Sequence, residues 1–182
     1  RSTLDGRPKY LYGSAGALYP VQVYLYVRDG RVTGIPPGAY YYHPVRHELA
    51  RLEPLTAGAA LGRSDYGWVN QPTFDQAAFA LFLIGDLRAI GPLYGASSRD
   101  FCLIEAGLIA QLLDERAPLQ GIGLCQVGRC RTATLSSLFR LEPGHVFLHS
   151  FLGGGLPGSP AEAASGEETR VEEGNRWEEG EL

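Results

Sequence analysis

Lys9-Tyr10-Leu11-Tyr12-Gly13-Ser14-Ala15-Gly16-Ala17-Leu18-Tyr19-Pro20 is the stretch from which the rest of the chain is read. It couples a titratable pair, Lys9-Tyr10, to a run of small residues, Ser14-Ala15-Gly16, and it ends on Tyr19-Pro20 just before an apolar segment. Lys9 stands out by composition. Of 16 basic residues 15 are Arg, and Lys9 is the single Lys. A guanidinium keeps its proton near neutral pH, whereas an amine can release one. A lone Lys is therefore either a chance survivor or a position that needs a removable proton. Ser14-Ala15-Gly16 is a run of small residues that can turn tightly. Taken alone, it is an ordinary tight loop.

Downstream, Val21–Val27 (VQVYLYV) has the β-branched and aromatic content of a strand, and Asp29-Gly30 supplies a turn. A short strand is expected at Val32–Ile35 before Pro36-Pro37-Gly38. A hairpin of Ala39–His43 and Glu48–Leu52 follows around Pro44. Leu55–Leu61 reads as a short helix with Gly62 past its end. The even hydrophobicity of Ala77–Leu87 fits a strand covered on both faces. Ile90–Gly95 is a loop or short helix, and Ser97-Ser98 can cap a long helix to about Arg116. In that helix Phe101, Ile104, Leu108, Leu112 and Leu113 recur at helical spacing, and Gly107 and Ala110 permit close approach of another backbone. Gly121–Cys125 enters a short strand, and Thr132 caps a helix through Phe139. His145–Leu152 is a last strand ended by Gly153-Gly154-Gly155. Mixed strands and helices around one long helix indicate an α+β layer fold.

Composition bounds the function. The 182 residues are 45% hydrophobic and 20% charged, with a formal charge of −4. Leu156–Leu182 holds eight Glu against Arg170 and Arg176, a charge of −6, so residues 1–155 carry +2. No basic stripe is left for nucleic acid. No apolar run approaches the ~18 residues of a membrane span, and no signal peptide is visible. Cys102, Cys125 and Cys130 form neither an even set nor a CxxC pair, and the four His lie in other segments. We expect no metal site, buried or semi-buried thiols, and a reducing, cytoplasmic setting. The chain has no Met, so it reads as a piece of something longer or as a processed product.

At Lys9–Pro20 the chain resembles the azoline-dehydrogenase (SagB-type) branch of the nitroreductase-like flavoproteins, most of all the oxidase domains embedded in non-ribosomal peptide synthetases. Gly34–Pro44, Ala78–Leu87 with Leu93-Tyr94-Gly95, Arg99–Gln111, Gly121–Gly128 and His145–Gly154 fit in the same order. The resemblance implies a nitroreductase fold, a mostly antiparallel sheet with packed helices, forming a homodimer with FMN at its interface. Residues 1–155 would be that oxidase domain, its N-terminal part missing, and 156–182 an acidic Gly/Glu-rich linker or disordered tail. It also implies oxidation of a thiazoline or oxazoline ring to thiazole or oxazole. The electrons pass to FMN and then usually to oxygen, and the substrate is tethered to a peptidyl carrier domain, the implied partner.

The family carries a Lys-Tyr pair where this chain has Lys9-Tyr10. Loss of a ring proton needs a base of suitable pKa, and flavin N5 accepts the hydride. The resemblance thus makes Lys9 the general base, its pKa lowered by burial near the ring, and Tyr10 its proton-handling partner. The alternative is a surface Lys beside a strand-anchoring Tyr. Ser14, Ala15 and Gly16 match the segment along the flavin. Gly128 and Arg129 match a loop whose backbone N–H groups reach N5, although Gln126 and Arg129 stand where Pro and Gly are expected. A plain glycine turn is the other reading of that loop. Glu105, Gly107 and Gln111 match the central-helix motif, with Gly107 at the subunit interface and Gln111 near the cofactor. Core packing serves these positions equally. Tyr94 either stacks near substrate or is a core aromatic, and Tyr40-Tyr41-Tyr42 is read as structural because neighbours on a strand face opposite ways. An upstream Arg/Ser-rich segment holds the FMN phosphate in the family. Here only Arg1 and Ser2 precede Leu4-Asp5-Gly6, and Arg7 is the one substitute. Other nitroreductase-like oxidations, of a nitro compound or a tethered amino acid, and a flavin-free scaffold remain as alternatives.

Overall fold

β6, Phe79–Asp86, organises the sheet because its side chains are apolar on both faces. In the computed structural model, which describes residues 2–4 and 7–158, six strands lie in the order β5-β4-β3-β6-β8-β7, every neighbouring pair antiparallel. The others are β3 (Val21–Val27), β4 (Gly38–His43), β5 (Glu48–Leu52), β7 (Ile122–Val127) and β8 (His145–Gly155). A separate hairpin pairs β1 (Ser2–Leu4) with β2 (Arg7–Lys9). Residues 159 to 182 lie outside the described residues, and with them nearly all of the expected acidic linker or tail.

Alternation along β6 divides the core. Ala80, Phe82 and Ile84 pack with Tyr24, Phe74, Leu135 and Phe139 under α1 (Gln71–Gln76) and α4 (Thr132–Leu138). Leu83, with Leu81 beside it, packs on the other face with Ile90, Cys102, Ala106, Ile109 and Phe151, under α2 (Leu87–Tyr94) and α3 (Ser98–Arg116). Asp86 ends β6 and caps α2, its carboxylate accepting the Arg88 N–H at 3.0 Å.

Several expectations need correction. Val32–Ile35 forms turns, since Gly30 and Gly34 at φ 65° and 77° bend the chain before it can pair. Leu55–Leu61 is irregular, interrupted by Gly58 at φ 74°. β8 does not stop at Gly153 but runs through Gly155, paired with β7. The face that α3 buries is Cys102, Ala106, Ile109 and Ala110, while Ile104 and Leu108 remain exposed. Small residues face the sheet because the helix lies close to it: a Cβ on Gly85 would sit 3.2 Å from Cys102 Sγ. Ser97 and Thr132 give no side-chain cap. Ser98 instead donates to the Gly95 carbonyl at 2.6 Å, and Arg131 occupies the N-cap of α4. All three cysteines are free; Cys102 and Cys130 are buried, but Cys125, on the edge strand β7, is exposed. No described helix is long and apolar enough to cross a membrane.

Candidate active site

The segment from Tyr12 to Val21 is a strained turn clamped onto α3. Gly16, Ala17 and Tyr19 have φ of 59°, 54° and 51°. Glycine takes that conformation freely, but Ala17 and Tyr19 each pay roughly 1–2 kcal/mol. Local hydrogen bonds hold the turn: Ala17 N–H donates to Ser14 O at 3.1 Å, Leu18 N–H to Ala15 O at 3.2 Å, and Tyr19 N–H to Ser14 Oγ at 2.8 Å. Its far end is tied by Val21 N–H donating to Glu105 Oε1 at 3.2 Å. Strain maintained by surrounding contacts is characteristic of functional segments.

Glu105 is the residue that sequence reading named without giving a role. It is 1% exposed, and its Oε2 is buried with no hydrogen-bond partner among the described residues. Burial raises its pKa above the usual carboxylate range; hydrogen bonds from Ser14 and Val21 oppose the rise without cancelling it. A signal was present: Glu105 falls on the same helical stripe as Cys102, Ala106 and Ile109, where a carboxylate needs a reason. Glu105 and Ser14 help to line a cavity of about 350 Å³ with Gly13, Ala15, Tyr94 and Phe101, at whose mouth lie Ile104 and Leu108. Tyr94 packs on Phe101 with ring centres 4.6 Å apart, so it is a packed aromatic that also borders this cavity.

Tyr10 stands on the other side of the turn. Its N–H donates to Tyr19 Oη at 3.3 Å, and its ring meets Tyr19 edge-on at 4.6 Å and stacks near-parallel on Tyr12 at 5.7 Å. Lys9 ends β2 and is exposed, so the burial expected of it is not supplied by the described residues. Lys9-Tyr10 and Ser14-Ala15-Gly16 are therefore brought to one end of the sheet. Gln111 and the Gly128-Arg129 loop are not joined to them. Gln111 is exposed on α3 and donates to Glu115 at 3.0 Å. Gly128 and Arg129 are exposed after β7, in a loop held by the Tyr66–Cys130 bridge and by Arg131 N–H donating to Asp65 O at 2.9 Å. The space over both Gly107 and Gly128 is open. Tyr40 is structural as expected, buried with its hydroxyl donating to Pro36 O at 2.7 Å. Tyr41 is structural too, packed on Tyr24 with ring centres 5.4 Å apart, and together with Tyr42 it also lines a second cavity of about 330 Å³ beside Tyr10. That cavity lies at the strand end, where opposite faces meet.

The residues at the turn fit the ring portion of FMN. Small side chains border a cavity within the usual ligand range, and the orphaned Glu105 Oε2 is an acceptor suited to the single N–H on the pyrimidine edge of a flavin. Among the described residues, no Lys or Arg lines this cavity.

The nitroreductase family model matches residues 10–154. The chain is 34% identical over 128 residues to indigoidine synthase of Dickeya dadantii, an alignment covering 70% of this chain and 7% of that protein. A crystal structure from Anabaena variabilis, provisionally described as a nitroreductase, superposes with a TM-score of 0.65 at 16% identity, covering 79% of this chain and 29% of that one. The E. coli microcin synthetase McbBCD complex with truncated pro-MccB17 bound gives 0.61 at 18% identity, covering 85% and 59%. The chain thus spans a small part of the relative it matches. At these identities the structures speak to fold alone, and the fold is nitroreductase-like, α+β, with an antiparallel sheet and packed helices.

Proposed function

The chain belongs to the nitroreductase family, and from that premise we propose that it is an FMN-dependent azoline oxidase domain, oxidising a thiazoline or oxazoline ring to thiazole or oxazole on a carrier-bound peptide. The observation that carries this reading is the adjacency of Lys9-Tyr10 to the strained Ser14–Tyr19 turn, made through the Tyr10–Tyr19 contacts. The likeness in fold to a synthetase complex that holds truncated pro-MccB17 supports a peptide-borne substrate.

Bound FMN supplies a two-electron acceptor. The chain supplies the rest. Lys9, exposed at the end of β2, takes the proton from the ring carbon beside the carbonyl, and Tyr10 orients that amine or relays the proton. Ser14, Ala15 and Gly16 border the flavin ring, Glu105 fixes their conformation, and Gly128 and Arg129 approach from a second subunit across the open face of α3. Gln111 lies on that face. The implied assembly is a homodimer.

The test is reconstitution with FMN followed by mass spectrometry of a carrier-bound thiazoline, with loss of two hydrogens as the expected product. Lys9→Ala should lower azoline oxidation by about a hundredfold or more while leaving reduction of a nitroaromatic by the bound flavin unchanged. Equal losses in the two assays would remove Lys9 from the role of base and favour a general flavin reductase. A protein that stays colourless after reconstitution would favour the scaffold reading.

A further inference from the structure

β3 and β4 pair only from Tyr24↔Tyr41 to Val27↔Gly38. Ahead of Tyr24 and beyond Tyr41 the two strands part, and the cavity of about 330 Å³ lies in that splay. Its walls hold Tyr10, Tyr12, Tyr19, Gln22, Tyr41 and Tyr42. Tyr10 and Tyr12 lie 12° from parallel, and Tyr19 stands at 89° to the first and 84° to the second. Three rings thus form a corner, faced by two more from β4. All five are only partly buried, so these rings are open to the cavity rather than sealed in the core.

We infer that this cavity binds a planar aromatic or heteroaromatic ring carried by the substrate next to the ring that reacts. The inference rests on the oxidase reading, because it places that neighbour ring against Tyr10 and within reach of the Lys9-Tyr10 pair. Aromatic rings attract one another in edge-on and offset geometries at centre distances of about 4.5–7 Å, and the tyrosine corner offers both. An aliphatic chain lacks the quadrupole that makes those geometries favourable beyond the area buried. The lining also has donors for an acceptor atom on the ring, such as an azole nitrogen or a phenol oxygen. Gln22 Oε1 already accepts from Tyr24 Oη at 2.8 Å, which leaves the amide N–H groups of Gln22 to donate. Burial keeps the Tyr12 phenol protonated well above neutral pH, so it too is a donor.

Two probes that differ only in the neighbour ring test this on the full chain: 2-phenylthiazole and 2-cyclohexylthiazole, titrated by calorimetry and by saturation-transfer NMR. The phenyl probe should bind about two- to tenfold more tightly than the cyclohexyl probe, the range expected of one aromatic contact. Tyr42→Ala and Gln22→Leu should each weaken it, and Tyr42→Phe should restore it. Equal binding of the two probes, no binding of the phenyl probe, or indifference to Tyr42→Ala and Gln22→Leu would each overturn the inference. Probe binding needs no turnover, so the two readings fail separately. A chain that binds the phenyl probe as described but oxidises no azoline keeps the subsite and loses the oxidase. A chain that oxidises phenyl- and methyl-substituted thiazolines with equal kcat/KM keeps the oxidase and loses the subsite.

Discussion

Glu105 shows what one residue does to this fold and what a sequence can say about it. Its carboxylate is 1% exposed and is the acceptor for Val21 N–H, 84 positions earlier. Glu105→Leu strands that amide in the core and should destabilise the chain by about 1–3 kcal/mol, read as a lower urea midpoint. Glu105→Gln keeps an acceptor and should lose far less. The pH dependence has a definite sign. Burial raises the folded-state pKa of Glu105, so the native state holds its proton longer than the unfolded chain does. Its contribution to stability is complete below the ordinary Glu pKa of about 4.3 and declines as pH rises through the folded value. Asp86, where burial is outweighed by hydrogen bonds from Arg88, acts oppositely and is lost as pH falls. Unfolding in urea, followed upward from below the ordinary Glu pKa, should show a falling limb in the wild type that is flattened in Glu105→Gln; an unchanged limb would mean that another group sets it. Gly16→Ala probes the neighbouring turn. A Cβ there would stand 3.2 Å from Leu93 Cδ2 and 3.3 Å from Tyr94 Oη, on a backbone at φ 59°. The added strain should lower stability by about 1–2 kcal/mol, measured by thermal unfolding. The turn at Ser14–Gly16 was legible as a local motif, and the roles proposed for Lys9 and Tyr10 rest on the same stretch. The anchor on Glu105 was not legible, because it depends on α3 returning to the turn.

At the scale of elements, local pattern served best where burial is two-sided and least where packing between elements decides. β6 was readable from its unbroken apolar run, and the sheet then buried it on both faces. The glycines of β8 carried the wrong message. Gly153 looked like a terminator, yet it is glycine because Phe79 of β6 lies over it: a Cβ would fall 2.4 Å from Phe79 Cζ and 2.8 Å from Leu124 Cδ2. Gly153→Ala should therefore destabilise the sheet by about 1–3 kcal/mol through overpacking. Phe79→Leu in the same chain should recover part of that loss, as expected of contacting residues; additive effects in denaturant melts would show that the ring is not the obstacle. The helix α3 misled in a related way. It bears two apolar stripes, and helical spacing alone pointed to the bulkier one. The sheet took the stripe of Cys102, Ala106, Ile109 and Ala110, where three of the four side chains are small and Cys102 lies against Gly85.

For the whole molecule, the rejected stripe has consequences. Leu103, Ile104 and Leu108 are 39%, 61% and 43% exposed on α3, and open space lies over Gly107 between them. A helix face with large apolar residues around a glycine suits the close approach of a second helix. Ile104 and Leu108 also stand at the mouth of the Ser14 cavity, so whatever covers this face also walls the candidate flavin site. Assembly and cofactor binding should then fail together. The wild type should sediment at twice the chain mass. Ile104→Glu places a charge where burial would require a partner and should shift the population to monomer while weakening FMN binding, followed by flavin fluorescence, by at least about tenfold, a change of some 1.4 kcal/mol. Val45→Glu, on an exposed turn between β4 and β5 and away from α3, is the matched control and should change neither quantity. A monomeric Ile104→Glu that binds FMN as tightly as the wild type would separate the cofactor from the α3 face, and a variant that stays dimeric would put the interface elsewhere on the molecule.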